Sequence, residues 1–356
     1  MFSDLEPLPA DLLDGTPYVA GARIGVGGMG EVVEARHRAL GTRVVVKLLR
    51  EELAGDPGLV ERMVVEARAL AALDEHPHVV GVRDFGRTAR GVPFLVLEAL
   101  RGTTLADELL ARGPLPVLEA IQIARQVLAA LAAAHQQGFI HRDVKLQNVF
   151  VCRSGRHGEP LVKLLDFGIA KVVADHTGHA PITLVHHTAE GALVGTPRTV
   201  APEQLDPRRV GPATDLYAVG LLLYTLLVGR GPFDHYRKRT DLLRAHREER
   251  PRAPSLAGAR HLPPALDAVV LRALAKAPED RFPNAYAMTQ ALLAAAEETP
   301  APTTGALEPL RTLRTAEPRR AVSPKQHSDA LWIAGALFLL AAACLTMALV
   351  VLEHGR

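Results

Sequence analysis

A dense group of polar residues occupies positions 141–148, where the sequence reads HRDVKLQN. One histidine, two cationic side chains, one acid and two amides stand here, just before the apolar run VFVC. Side chains of these types exchange protons and bind charged ligands. The segment is therefore a candidate for the reactive part of the molecule.

A second candidate is the stretch IGVGGMGEV at positions 24–32, which contains the pattern G-x-G-x-x-G. Glycines allow backbone N–H groups to approach phosphate oxygens closely. In a dinucleotide-binding fold the third glycine would open a helix. Here the chain continues with EVVEA, a turn at 39–42 and RVVVK, which favours a glycine-tipped β-hairpin.

Three single residues have ordinary interpretations when each is taken alone. Lys47 ends an apolar strand and would normally point to solvent. Glu66 lies in a helical stretch, where most acids are surface residues. Asp166 precedes Phe167 and Gly168 at the end of the strand VKLL, where a turn residue is the commoner case.

The elements that must position these residues form two groups. Residues 18–98 are rich in predicted strands such as RVVVKLL and PFLVLEAL, with one helical stretch, LVERMVVEARALAALDEH. After Gly102 the apolar spacing becomes helical, and predicted helices continue to Glu298. We therefore expect a small β-rich lobe followed by a larger helical lobe.

The last part of the chain has a different composition. Residues 299–330 are rich in Pro, Thr, Ala and Arg without apolar periodicity, which predicts a flexible basic linker. Residues 331–352 carry no charge and are long enough for one transmembrane helix; a buried helix of a globular domain is the alternative. Five cations precede this segment and a single arginine follows it, so the positive-inside rule places residues 1–330 in the cytoplasm. The cations before it are Arg311, Arg314, Arg319, Arg320 and Lys325.

Overall composition excludes several other classes of protein. The 356 residues contain 41 Lys and Arg against 39 Asp and Glu, which gives no global field for nucleic acid. The two cysteines, Cys152 and Cys344, are far apart and form neither a disulfide framework nor a metal set. The acidic, proline-containing N-terminus does not have the pattern of a signal peptide.

Taken in order, the glycine loop, VVVK, HRD-x-K-x-x-N, DFG and APE resemble the protein kinase signature. The segments GVGGMGEV, DFGIAK and PEDRF are most similar to bacterial serine/threonine kinases of the eukaryotic type, over about residues 18–296. The resemblance implies an α+β bilobal fold, ATP and Mg²⁺ as ligands, protein substrates and autophosphorylation in signal transduction. It also allows a homodimer.

The resemblance also implies roles for particular residues. Asp143 would accept or orient the proton of the substrate hydroxyl, and Lys145 would contact the transferring phosphate, which favours Ser or Thr acceptors. Lys47 would bind the α- and β-phosphates and pair with Glu66. Mg²⁺ would be held by Asn148 and Asp166, and Leu97 would lie behind the adenine. The nucleotide site would comprise Ile24, Gly25, Val26, Gly27, Gly28, Met29, Gly30, Glu31, Val32 and Lys47, with the backbones of Glu98 and Leu100.

Other polar residues would support this site. Asp215 would brace the backbone of the catalytic loop, and Glu203 would pair with Arg281. Arg142 marks a kinase whose loop is ordered by a phosphothreonine, for which Thr188 is the first candidate and Thr183 the second.

Three features depart from the family pattern. Val45 replaces the usual alanine beside the adenine site, and residues 198–200 differ from the usual substrate-binding loop. The segment between DFG and APE contains four histidines, which favours a solvated loop over a zinc site. The histidines are His176, His179, His186 and His187.

We predict five segments: an N-terminal segment 1–17, a kinase domain 18–298 with lobes 18–100 and 101–298, a linker 299–330, a transmembrane helix 331–352 and an outer tail 353–356. This predicts a single-pass protein of the bacterial inner membrane. A catalytically silent scaffold and a small-molecule phosphotransferase are the alternatives. The intact Lys47, Asp143, Asn148 and Asp166 argue against the first, and the APE segment argues against the second.

Overall fold

An antiparallel five-stranded sheet forms the first half of the domain. The computed structural model describes residues 8–9, 11–26, 30–152, 160–166, 197–205, 210–259 and 262–298. The strand order is β1-β2-β3-β5-β4. Valine-rich strands form its centre because β-branched side chains pack well on a pleated surface. The strands are β1 (Tyr18–Val26), β2 (Gly30–His37), β3 (Arg43–Leu49), β4 (Val82–Arg87) and β5 (Pro93–Glu98).

A single long helix, α1 (Pro57–Ala72), packs beside this sheet. The Asp56 side chain accepts hydrogen bonds from the amides of Gly58 and Leu59, and Pro57 occupies the first turn. Both features favour a helix start here. The face that α1 buries contains Met63, Ala67 and Leu70 together with one acid, Glu66.

The second half of the domain is mainly helical. The core helices α3 and α4 pack on each other, and α8 and α7 cover them. Helix α4 is apolar on nearly all sides because it is buried on nearly all sides, and Gly229 ends it in the left-handed conformation. The helices are α2 (Leu105–Arg112), α3 (Val117–Gln136), α4 (Pro212–Val228), α5 (Arg239–Glu248), α6 (Pro254–Ala257), α7 (Pro264–Ala273) and α8 (Ala285–Glu297).

A small three-stranded sheet lies between the two halves and carries the loops that form the site. It consists of β6 (Gly102–Thr104), β7 (Val149–Cys152) and β8 (Leu161–Leu164) in the order β6-β7-β8. The loop before β4 is fixed to β8, because the Leu164 amide donates to the His78 carbonyl and the Val80 amide donates to the Leu164 carbonyl. The prediction of a bilobal fold with a β-rich first lobe and a helical second lobe is confirmed.

The predicted domain limits remain predictions at both ends. Residues 11–17 pack on the first lobe, where Leu13 is buried and the Ala89 amide donates to the Asp14 carbonyl. Helix α8 ends at Glu297, and the predicted linker and transmembrane helix lie outside the described residues. Within the described ranges only Val117–Gln136 is long and apolar enough to span a membrane, and half of it is buried in the domain core.

Candidate active site

Lys47 lies at the centre of a group of charges between the two lobes. Its ammonium is 2.7 Å from Glu66 Oε1 and 3.1 Å from Asp166 Oδ1. Burial would lower the pKa of Lys47, but the negative charges of Asp166 and Glu66 outweigh burial and raise this pKa above its usual value. Burial raises the pKa of the Glu66 carboxyl, and the charge of Lys47 opposes that shift. Strand β3, helix α1 and the end of β8 are thus joined through one cation.

The segment 141–148 brings three more predicted site residues together. Lys145 Nζ lies 2.7 Å from Asp143 Oδ2, and the Asn148 amide nitrogen donates to Asp143 Oδ2 at 3.1 Å and to the Asp143 carbonyl at 2.9 Å. A short 3₁₀ turn, Leu146–Asn148, places Asn148 beside the start of β7. Asn148 Oδ1 is buried and has no hydrogen-bond partner among the described residues.

The Asp215 side chain of α4 binds the backbone of the segment 141–148. It is completely buried, and its carboxylate accepts hydrogen bonds from the amides of His141 and Arg142 at 2.9 and 2.8 Å. The His135 ring nitrogen Nε2 lies 2.8 Å from the same carboxylate. Arg142 has a positive φ of 61°, which is strained for a residue with a side chain. The hydrogen bonds to Asp215 hold the backbone in this conformation.

His141 connects the catalytic loop to the strand end that carries Asp166. Its Nε2 lies 3.0 Å from the Leu165 carbonyl, and burial lowers the pKa of the imidazole. Asp166 itself has a positive φ of 38°. The ring is therefore a neutral packing group, and a hydrogen bond fixes its position.

An apolar cleft adjoins Lys47 and Asp166 at the junction of the two lobes. Its walls include Val45 from β3 and Leu97 from β5, the two residues predicted to lie beside the adenine. The other apolar lining residues are Val32, Val80, Leu97, Leu100, Phe150 and Leu165.

The predicted glycine loop is described only in part. Gly30 is packed so closely that an added Cβ would lie 2.1 Å from the Leu48 carbonyl oxygen, so any side chain would displace β3. Ile24, Gly25 and Val26 end β1, and the Glu31 carboxylate pairs with Arg23 at 2.9 Å. Gly27, Gly28 and Met29 lie outside the described residues.

A buried ion pair fixes residues 202–205, which include part of the APE segment. The Arg281 guanidinium binds both carboxylate oxygens of Glu203, at 2.7 and 2.8 Å. The Thr214 hydroxyl donates to Glu203 Oε1, and the Gln204 amide donates to the Arg142 carbonyl. Residues 202–205 are thereby joined both to the helical core and to the catalytic loop.

Sequence reasoning missed several polar partners of these groups. His135 was not a candidate site residue, yet its Nε2 lies 2.8 Å from Asp215 Oδ2. Glu98 was expected to act through its backbone, whereas its carboxylate also accepts from Lys163 and from the Gly81 amide, both at 2.7 Å. A titratable residue at a position that the apolar pattern buries must find a polar partner, and this signal could have indicated both contacts. Phe167, Gly168 and the residues Thr183, Thr188 and the four histidines of the 176–187 region lie outside the described residues.

Comparison with known proteins agrees with this geometry. Residues 18–293 match the protein kinase domain family. The chain is 40% identical over 277 residues to the serine/threonine-protein kinase Pkn1 of Myxococcus xanthus, covering 78% of this chain and 38% of that protein. It is 38% identical over 283 residues to pkn3 of the same organism, covering 79% and 50% respectively. The chain therefore spans half or less of the length of these two relatives.

A third relative is covered more fully, and a solved structure has the same fold. The serine/threonine-protein kinase PknL of Mycobacterium tuberculosis is 36% identical over 293 residues, which are 82% of this chain and 69% of PknL. The crystal structure of the Mycobacterium tuberculosis PknI kinase domain has a TM-score of 0.60 and 26% identity, over 81% of this chain and all of that domain. The chain belongs to the protein kinase family, among the serine/threonine kinases of bacteria.

Proposed function

We propose that this chain transfers the γ-phosphoryl group of ATP to serine and threonine hydroxyls of proteins. The observation that carries the proposal is the position of Lys47, whose ammonium contacts both Glu66 and Asp166 at the mouth of the apolar cleft. Helix α1 and the DFG aspartate must both be in place for a kinase to bind its phosphates productively.

The oxygen atoms near the cleft fit a magnesium ion. Asn148 Oδ1 is buried without a partner among the described residues, and Asp166 supplies a carboxylate. Carboxylate and amide oxygens are the hard ligands that Mg²⁺ prefers, so these two residues would hold it. When bound there, Mg²⁺ would supply positive charge that offsets the negative charge of the phosphates.

Lys47, Asp143 and Lys145 would each have a different role in the phosphoryl transfer. Lys47 would bind the α- and β-phosphates, and Asp143 would orient the substrate hydroxyl and take up its proton. A new bond forms between the hydroxyl oxygen and the γ-phosphorus, while the bond from that phosphorus to the bridging oxygen breaks. Lys145 lies against Asp143 and would neutralise charge on the transferring group.

The test is autophosphorylation of the full chain with labelled ATP and Mg²⁺. We expect Asp143→Asn to abolish phosphate incorporation while ATP binding persists, because the base is lost and the cleft is unchanged. Asp280→Asn, a change at an exposed acid, serves as the control. If the parent chain binds ATP but transfers no phosphate, the alternative of a catalytically silent scaffold is favoured.

We further propose that the kinase domain is anchored to the inner face of the bacterial cell membrane. The support is the sequence: residues 331–352 are uncharged, and five cations precede them between 311 and 325. We expect the chain in the membrane fraction and the kinase domain protected from protease in spheroplasts. Recovery of the intact chain in the soluble fraction would contradict the anchor. A homodimer at the membrane is compatible with this arrangement.

Activation by phosphorylation of Thr188 also remains a proposal. Arg142 would pair with the phosphate, and its backbone is held by Asp215 and Gln204 in the observed structure. We expect Thr188→Ala to lower turnover several-fold with little change in ATP binding. Equal turnover in parent and variant would reject Thr188 as the regulatory residue.

A further inference from the structure

The Lys163 side chain connects the small sheet between the lobes to the first lobe. Lys163 lies in β8, and its ammonium is 2.7 Å from Oε1 of Glu98, the last residue of β5. The same ammonium donates to the Val79 carbonyl at 2.9 Å. The side chains of Lys163 and Glu98 are only 15% and 21% exposed. One lysine of β8 therefore binds two separate segments of the first lobe.

Glu98 is bound to the loop before β4 through its backbone and its side chain together. Its Oε1 accepts from the Gly81 amide at 2.7 Å, and its own amide donates to the Gly81 carbonyl at 2.9 Å. Arg83 is a weaker cationic partner, because its guanidinium is 3.9 Å from Oε2 and its side chain is half exposed. The closer and more buried ammonium of Lys163 is therefore the cation that fixes this carboxylate.

These contacts adjoin the walls of the apolar cleft. Val80 and Leu97 both line the cleft, and each is the direct chain neighbour of a residue that these contacts hold. Lys163 itself is not among the residues that line the cleft, and Asp166 follows it by three residues. The ion pair thus joins two walls of the cleft to the strand that leads to Asp166, without occupying the cleft.

We propose that Lys163 and the Glu98 carboxylate are a positioning pair for ATP: their contact fixes the end of β5 and the loop at 78–81 in the arrangement that binds the adenine. This inference rests on the proposed function, which makes ATP the occupant of the cleft. Without the pair, both segments gain conformations that ATP binding must then restrict, so affinity for ATP falls. The groups that handle the phosphates and the substrate hydroxyl are unchanged, so the effect falls on ATP binding.

The test measures ATP binding and peptide phosphorylation by the full chain. We expect Lys163→Met to raise the Kd and the KM for ATP about tenfold, the fold-change of one lost hydrogen bond to a charged group. The kcat and the KM for the peptide should not change. Lys163→Arg keeps the charge and the donors, so it should restore most of the affinity. Arg83→Met is the matched control and should change the Kd for ATP by less than about twofold, because that cation is half exposed and more distant.

Glu98→Gln removes the same ion pair from its other side and keeps the test valid if Lys163→Met does not fold. We expect a similar rise in the Kd for ATP, and the double variant should bind ATP no more weakly than either single variant, because both changes remove one interaction. An unchanged Kd in either single variant, or effects that multiply in the double variant, would overturn the inference. A parent chain that binds ATP but transfers no phosphate would reject the proposed function alone, since the binding constants still decide the role of the pair. A parent chain that binds no ATP would overturn both.

Discussion

The ion pair between Arg281 and Glu203 offers a stringent test of the structure, because every donor of the guanidinium has an acceptor. Nε donates to the Ala275 carbonyl at 2.8 Å. The two terminal nitrogens each bind one Glu203 oxygen, and they also donate to the carbonyls of Ala213 at 2.8 Å and Lys276 at 3.1 Å. Arginine has five N–H groups, and all five are used.

Arg281→Met removes these hydrogen bonds and leaves a buried carboxylate. Of the described side chains, Thr214 remains as a donor to Glu203, at 2.8 Å. Breaking a buried ion pair costs about 3–5 kcal/mol, and three backbone carbonyls also lose a donor. We therefore expect the free energy of unfolding to fall by about 4 kcal/mol. For a domain of this size that is a decrease of about 10 °C in Tm.

The double variant Arg281→Met, Glu203→Gln separates the charge from the hydrogen bonds. Replacing the unpaired carboxylate should restore about 2 kcal/mol of the free energy of unfolding, because burying a neutral amide costs less free energy than burying an anion. The three carbonyls stay without their donor, so recovery is incomplete. A double-mutant cycle measures this coupling directly.

Urea unfolding of the full chain in detergent, followed by circular dichroism, gives the free energies. Arg247→Met is the control, since Arg247 pairs with Glu248 on the exposed face of α5 and should change stability by less than about 0.5 kcal/mol. Two results would refute the reasoning. One is a loss below about 1 kcal/mol for Arg281→Met, and the other is a double variant no more stable than the single one.

Three further changes test the site. Glu66→Gln removes the charge 2.7 Å from Lys47, and we expect kcat/KM to fall about 100-fold; a fall below about threefold would contradict the role of the pair. Asn148→Ala should raise the Mg²⁺ concentration for half-maximal activity several-fold, whereas an unchanged Mg²⁺ titration would remove Asn148 from the proposed metal site. Burial lowers the pKa of His246 from 6.5 to about 4, so the neutral ring stabilises the fold above pH 6.5 and this stabilisation is lost as pH falls toward 4. We expect the free energy of unfolding to fall by about 3 kcal/mol over this window. Urea unfolding at pH 7 and 4.5 should show a smaller loss in His246→Phe. An equal pH dependence in both chains would assign the loss to other groups.

The sequence alone determines the order of the elements and the identity of the reactive residues. The valine-rich strand that ends near Lys47, the glycine hairpin and the polar segment at 141–148 are all local patterns, and the order of the motifs indicates the kinase family. The strand RVVVKLL was predicted with the bounds of β3, whereas the helical stretch predicted over 59–76 is α1 at Pro57–Ala72, since the Asp56 side chain caps its start. Such signals are readable because they depend on neighbours a few residues apart.

Only the tertiary structure decides which distant groups meet. Spacing did not show that Glu66 would face Lys47, or that His135 would join the amides of His141 and Arg142 at Asp215. The sequence also did not predict the side-chain contacts of Glu98 or the contact between His246 and the Tyr217 hydroxyl. Periodicity states that a residue faces inward but not which element it will meet there. That choice depends on how the helices and the sheet pack, and a buried polar group then has to find its partner across the resulting interface.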